Sequence, residues 1–259
     1  MVLKPVLRVS VRGPITGAMP SSLHQAEGIL RNLSRASGLD LLAYREDHVA
    51  ERVSRALERE GLDDADGLAR LIAADEEARA RFRRSVAMVV TGLFRDPEQF
   101  RLLEREILPL VAGTRRQLRV WSAACADGAE LYSVGIALAQ MGILDGAVLL
   151  GSDLLEENLA LAEQGVYGDV QLPASLRAKL RWEQRDLLGD STPAGKWSVV
   201  LCRNLAIYLR PEAKRRLHDR LVGTLAPGGV LLLGPSERLA DPARLGLELV
   251  APHAYRRVA

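Results

Sequence analysis

The sequence predicts an α/β fold, a mostly parallel sheet with helices on both faces, preceded by a small all-helical domain. Three observations carry this. Beyond about residue 97, short apolar runs alternate with helix-like stretches, as in a sheet covered on both faces. One such run, Val120–Ser122, leads into a small-residue loop, Ala123-Ala124-Cys125-Ala126-Asp127-Gly128, that opens a helix. Before residue 90, apolar residues recur at three and four instead.

Residues 1–20 contain Pro5, Gly13, Pro14, Gly17 and Pro20 and read as an irregular lead. Residues 21–90 read as helices: Ile29 and Leu33, then Val49, Val53 and Leu57, then Leu68, Leu71 and Ile72, with Gly38 and Gly61 as helix ends. An Arg/Glu-rich helix from about Glu76 to Val90 links this region to the next. Pro97 suits a first helical turn with Asp96 as its cap, and helix 97–112 follows. Strands are expected at 118–122, 148–153, 180–183, 198–202 and 230–234, and a last one at 247–250 or 255–258. Helices are expected at 128–141, 155–164 and 211–225.

Composition narrows the function. A chain of 259 residues suits one large domain with a helical appendage, and 48% apolar residues suffice for a core. A net charge of +2 gives no global field toward nucleic acid or membrane, so neither is an expected partner. Cys125 and Cys202 end apolar runs and form no disulfide framework. The four histidines lack ligand spacing, so no metal site is expected. Lys4 and Arg8 precede no long apolar core, and no run approaches a membrane span. The expectation is a cytoplasmic chain.

The small-residue loop that follows Val120–Ser122 reads as a Rossmann-like turn, in which missing Cβ atoms let backbone approach a nucleotide. A second strand, Val148–Asp153, ends in an acid about 20 residues further on, where such folds place a ribose-binding carboxylate. Asp186 and Asn204 also fall at strand ends.

These residues resemble the CheR family of S-adenosylmethionine-dependent methyltransferases, which esterify glutamates of bacterial chemoreceptors. The resemblance spans roughly residues 25–259. Thr91-Gly-Leu-Phe-Arg95-Asp96 is similar to T-x-F-F-R-D, and Trp121 to Ser133 to W-S-A-A-C-S-T-G-E-E-P-Y-S. Gly151-Ser-Asp153, Ala162 to Tyr167 and Cys202-Arg203-Asn204-Leu-Ala-Ile207-Tyr208 follow in the family's order. Leu225 to Gly229 and Gly234-Pro-Ser236-Glu237 complete the set. Val89 stands where the family has a cofactor-contacting Asn, Ala129 replaces the first Glu of a pair, Asp186 replaces an Asn and Ser198 an Asp. Only about twenty residues separate Tyr167 from Asp186, too few for the family's antiparallel receptor-tail clamp beside a helix and a connection.

The resemblance implies a class I methyltransferase domain at 91–259 behind a helical substrate-recognition domain at 21–90. It implies S-adenosylmethionine as methyl donor, S-adenosylhomocysteine as product, and a monomer that meets cytoplasmic receptor helices through the helical domain. Thr91, Arg95, Ala123, Glu130, Asp153, Asp186, Leu187, Arg203 and Asn204 become candidates for holding the cofactor. Arg95 and Tyr208 become catalytic candidates, gripping and orienting the acceptor carboxylate. Plainer roles stand beside these: Asp153 as a helix cap, Arg203 as a structural ion-pair residue, Arg95 paired with Asp96, Tyr208 as a core-edge ring and Thr91 as a turn cap. Arg52, Arg55 and Arg59 share one helix face and are candidates for the receptor contact, or form a solvated face with nearby glutamates. Two other functions stay open: a decayed cofactor-binding signalling module, and a methyltransferase for another acceptor.

Overall fold

The computed structural model describes residues 23–87, 91–113, 117–189 and 192–258. The expected irregular lead at 1–20, and Val89, lie outside them. The chain divides into two units, residues 1–42 with 49–82, and residues 43–48 with 83–259.

The first unit is helical. It takes α1 (Leu23–Ser37), most of α2 (Glu46–Glu60), α3 (Ala65–Ala74) and the start of α4 (Glu76–Ala87). Leu33, Val53, Leu57, Leu68, Ile72 and Phe82 are buried, so the three-and-four spacing does mark the inward faces. Gly38 and Gly61 follow α1 and α2 in the left-handed region, closing each helix. Asp64 caps α3 by accepting from the Gly67 amide at 2.6 Å. Arg81 and Glu60 form a two-pronged pair at 3.0 and 3.2 Å.

In the second unit, α5 (Pro97–Leu102) runs through a π turn (Leu103–Ile107) into α6 (Leu108–Ala112). The single helix expected at 97–112 is thus interrupted. Pro109 explains this, because it has no amide hydrogen and its ring crowds the carbonyl four residues back. The chain then alternates through β1 (Arg119–Ala123), α7 (Ala129–Gln140), β2 (Val148–Asp153) and α8 (Glu156–Gln164). A hairpin of two-residue strands, β3 (Val166–Tyr167) and β4 (Val170–Gln171), precedes the single turn α9 (Ala174–Arg177) and β5 (Leu180–Gln184). After β6 (Trp197–Cys202) come α10 (Pro211–Thr224), β7 (Leu225–Leu233), β8 (Leu247–Ala251) and β9 (Ala254–Arg257).

The seven-stranded sheet has the order β5-β2-β1-β6-β7-β9-β8. The pairs among β5, β2, β1, β6 and β7 are parallel, and β9 runs antiparallel to both β7 and β8. Both alternatives for the last strand therefore exist, as one antiparallel edge. All six residues of β6 are buried, as a central strand covered on both faces requires. The strand order reverses between β1 and β6, and a crevice opens outside their carboxyl ends. Among the described residues no helix is long and apolar enough to cross a membrane.

Candidate active site

The crevice lies wholly within the second unit and, with its open mouth, has a volume of about 1060 Å³. Its floor is the loop after β1. Ala124 (φ 58°) and Ala126 (φ 50°) both take the left-handed conformation that side chains disfavour. Their small side chains keep the cost low and leave backbone exposed to the crevice. The Cys125 amide donates to the Ser152 carbonyl and the Ala126 amide to Asp153 Oδ2, each at 2.9 Å.

The glycine of this loop serves a different purpose from the one expected. A Cβ on Gly128 would lie 2.5 Å from the Trp182 ring and 2.8 Å from Ala162 Cβ. A Cβ on Gly151 of β2 would collide with the same indole. Both glycines make room for the protein's own Trp182, not for a ligand.

Asp153 ends β2 and is buried. Its Oδ1 accepts from the Leu155 amide and Asn158 Nδ2, both at 3.0 Å, and burial raises its pKa above the usual carboxylate value. It therefore caps the turn into α8 and lines the crevice at once. Each oxygen of a carboxylate can accept twice, so capping leaves acceptor capacity. Asp186, after β5, also lines the crevice, with Oδ1 accepting from the Leu188 amide at 2.8 Å. Leu187 beside it is buried, and its carbonyl accepts from Arg220 at 2.8 Å.

A charged network joins three segments behind the crevice. Arg203 follows β6, and its side chain is only 4% exposed. Its Nη2 donates to Asp96 Oδ2 at 2.6 Å and to the Arg95 carbonyl at 3.0 Å; Nη1 donates to Glu130 Oε2 at 3.0 Å and Nε to Gln99 Oε1 at 2.9 Å. Glu130, in the first turn of α7, also accepts from Ser122 Oγ at 2.7 Å. Asp96 was expected to cap α5 but makes no side-chain cap bond. Its backbone is left-handed (φ 58°) and its carboxylate is committed to Arg203.

Arg95 lines the crevice between two left-handed residues, Phe94 (φ 54°) and Asp96. A phenylalanine in that region costs on the order of 1–3 kcal/mol and persists only when its surroundings fix it. Here the Phe94 amide donates to Ser133 Oγ at 2.9 Å, and its ring meets Phe100 edge-on at 5.6 Å. Arg95 Nε is 4.0 Å from Asp96, a loose contact. Thr91, at the start of this turn, is hydrogen-bonded through its hydroxyl to Asp127 Oδ2. The Asp127 carbonyl accepts from the Tyr167 hydroxyl at 2.6 Å, and burial raises that phenol's pKa far above its usual value.

On the far wall, Asn204 (φ 62°) and Tyr208 follow β6 and line the crevice. Fully buried Glu237 fixes this wall. Its Oε2 accepts from the amides of Asn204 (2.7 Å) and Gly234 (2.8 Å), and Oε1 from Ala206 (2.7 Å).

Thr91, Arg95, Glu130, Asp153, Asp186, Leu187, Arg203, Asn204 and Tyr208 thus meet in one crevice. Ala123 does not line it: it is the last, fully buried residue of β1, and Ala124 takes that place. Arg52, Arg55 and Arg59 belong to the other unit. Arg55 pairs with Glu51 at 2.5 Å and Arg59 with Glu60 at 2.9 Å, while the Arg52 side chain is only 11% exposed. Sequence reasoning passed over Tyr44, Asn158 and Trp182, which left no signal; Glu237 was named in the Gly234-Pro-Ser236-Glu237 motif, as closing the far wall with Ser236, without being counted among the site residues. Among the described residues no group of His, Cys, Asp or Glu is suited to hold a metal.

The lining suits a ligand that carries hydrogen-bond donors. Asp153 and Asp186 are acceptors, Ala124 and Ala126 present backbone, and Arg95 supplies a guanidinium.

The family described as "CheR methyltransferase, SAM binding domain" matches residues 89–181 and 168–249. A chemotaxis protein methyltransferase of Listeria innocua is 28% identical over 239 residues, covering 84% of this chain and 91% of that protein. Chemotaxis protein methyltransferase 1 of Pseudomonas aeruginosa is 29% identical over 242 residues, covering 80% and 87%. An uncharacterized 104.1 kDa protein of Rhodobacter capsulatus is 30% identical over 241 residues, which cover 82% of this chain and 25% of that one. With the family match spanning β1 to β7 and most of the crevice lining just described, the chain belongs to the CheR methyltransferases and carries their S-adenosylmethionine-binding domain.

Proposed function

We propose that this chain is a protein-glutamate O-methyltransferase that esterifies glutamate side chains of chemoreceptors. The observation that carries the reading is the turn holding Arg95, strained on both sides and braced by Arg203, which aims a guanidinium at a cofactor crevice. The names of the curated relatives support it.

S-adenosylmethionine supplies an electrophilic methyl group on a sulfonium. Asp153 would accept from ribose hydroxyls, Asp186 from the adenine amine, and Glu130 would face the amino group, with Thr91, Leu187, Arg203 and Asn204 shaping the walls. A glutamate side chain, with an ordinary pKa of about 4.3, arrives already anionic, so no general base is required. Arg95 would hold that carboxylate in one plane while Tyr208 orients it, and alignment supplies most of the acceleration. The helical unit, through Arg55 and Arg59, would meet the acidic receptor helices. With only the short β3–β4 hairpin and the single turn α9 ahead of β5, docking would be weak and salt-sensitive.

Incubation with chemoreceptor cytoplasmic fragments and labelled cofactor tests this. Base-labile methyl incorporation is expected, and Arg95→Ala should abolish it while calorimetric affinity for S-adenosylhomocysteine stays within about twofold. Cofactor binding without turnover would reassign the chain as a signalling module.

A further inference from the structure

Asp127 belongs to the floor loop but is not among the residues that line the crevice. Three segments nonetheless meet on it. Its carbonyl accepts from the Tyr167 hydroxyl of β3 at 2.6 Å. Its Oδ1 accepts from the amide of Ala129, the first residue of α7, at 3.2 Å. Its Oδ2 accepts from the hydroxyl of Thr91, which does line the crevice. One carboxylate serves both side-chain bonds because each of its oxygens accepts separately.

Two of these three bonds hold Asp127 in place. The Tyr167 ring packs edge-on against Tyr132 of α7 at 5.9 Å, and the Tyr132 hydroxyl is itself anchored, donating to the Ala162 carbonyl at 2.8 Å. The bond from the Ala129 amide ties the Asp127 side chain to the head of α7. The third bond reaches out to the turn that carries Arg95. That turn is joined to the same helix at a second point. The Phe94 amide donates to Ser133 Oγ at 2.9 Å, and the Ser133 hydroxyl donates to the Ala129 carbonyl at 2.8 Å. The Arg95 amide closes the turn on the Gly92 carbonyl at 3.2 Å. Thr91 and Phe94 are thus both referred to the floor loop and the helix it opens, one through Asp127 and one through Ser133.

We infer that Asp127 is a positioning residue: by accepting from Thr91 it latches the start of the Arg95 turn to the floor loop, so that the guanidinium keeps a fixed spacing from the cofactor's seat. This rests on the proposed function, in which Arg95 presents the acceptor carboxylate to a methyl group held over that loop. It also changes the part of Thr91, whose hydroxyl acts on the turn rather than on the cofactor. In an in-line transfer a misplacement of about 1 Å costs up to ~100-fold in rate. The Thr91 bond is exposed, so its loss alone should cost less, about fivefold.

The test uses the whole chain with receptor fragments as acceptor, and compares Thr91→Val, Thr91→Ser, Asp127→Ala and the double variant Thr91→Val/Asp127→Ala. Thr91→Val removes the donor and keeps the branched shape. It should lower kcat about fivefold at saturating cofactor, with S-adenosylhomocysteine affinity within about twofold of wild type. Thr91→Ser, which restores a hydroxyl, should regain most of that loss. Asp127→Ala should lower kcat at least as far, and adding Thr91→Val to it should cost nothing more, because the bond is already gone. An unchanged kcat in Thr91→Val overturns this inference alone. So does a tenfold loss of S-adenosylhomocysteine affinity in that variant, which would make Thr91 a cofactor contact, or a full additive cost in the double variant. A wild-type chain that binds cofactor but esterifies no carboxylate overturns the proposed function and this inference with it.

Discussion

The guanidinium of Arg203 lies 2.6 Å from the carboxylate of Asp96, and this pair fastens the end of β6 to the turn that presents Arg95. The same guanidinium holds Glu130 at 3.0 Å, so one side chain orients residues on three separate segments. In the sequence, Arg203 was a candidate for the cofactor with a structural ion pair as the alternative. Its nitrogens point at protein acceptors, which makes it a brace for the crevice.

Arg203→Met should therefore destabilise the fold and disable Arg95 together. Removing one partner of a largely buried pair strands the others, at a cost of about 3 kcal/mol once the partial exposure of Asp96 is allowed for. Arg203→Lys keeps the charge but cannot reach all four acceptors, and should recover less than half of that. Urea unfolding measures the first effect, and kcat at saturating cofactor the second. A Met variant of wild-type stability would contradict the bracing role.

Two glycines share one neighbour, and they should respond differently to relief. Gly151→Ala drives a methyl into the Trp182 ring and should cost roughly 1–3 kcal/mol, the usual range for overpacking. Adding Trp182→Leu should restore most of it. Gly128→Ala meets the same indole but also Ala162 Cβ at 2.8 Å and sits at φ +82°, so Trp182→Leu should rescue it only in part. Melting temperatures of the five variants, three single and two double, separate the Trp182 contact from the Ala162 contact and backbone strain at Gly128. Equal rescue at both positions would mean that neither the left-handed conformation at Gly128 nor its approach to Ala162 is of consequence.

How much of this was legible beforehand depends on the scale of the physics. Strand–helix alternation is local, so β2 was read to the residue and α7, α8 and α10 within a residue or so. The strand-end acids were found for the same reason: a parallel sheet delivers whatever follows its strands to one edge. What escaped depends on contacts remote in sequence. Nothing near Trp182 announces that it fills the space above Gly128 and Gly151, and Asp96 reads as a cap until Arg203, more than a hundred residues on, claims it. Tyr44 falls among helix signals, and only its pairing with Leu209 brings it to the crevice.

Glu237 should tolerate no isosteric exchange. Its two oxygens take three amide hydrogens, from Gly234, Asn204 and Ala206. Glu237→Gln replaces one acceptor by an amino group that must face a donor, leaving a buried clash worth about 1–3 kcal/mol. The loop carrying Asn204 should loosen, so S-adenosylhomocysteine affinity should fall along with stability. Calorimetry and thermal unfolding on the same preparation check both; unchanged affinity would detach this loop from cofactor binding.

His218 should set the acid limit of stability. It is buried on α10, and its Nε2 has no hydrogen-bond partner among the described residues. Burial, aided by the charge of Lys214 one turn away, lowers its pKa from 6.5 to about 4. In the unfolded chain the imidazole takes up its proton near the ordinary value, while in the folded chain it resists until about 4. Between these values the unfolded state binds more protons, so stability rises with pH there and is lost as pH falls. The contribution is fully present above the unfolded value and gone below the folded one. At ~1.4 kcal/mol per pKa unit it reaches about 3 kcal/mol. His218→Leu removes the titrating group and the unpaired nitrogen together. Its stability should match or exceed wild type at neutral pH, and the gap should widen on acidification. Guanidinium midpoints across that window decide it: parallel curves for the two proteins would place the acid sensitivity elsewhere in the chain.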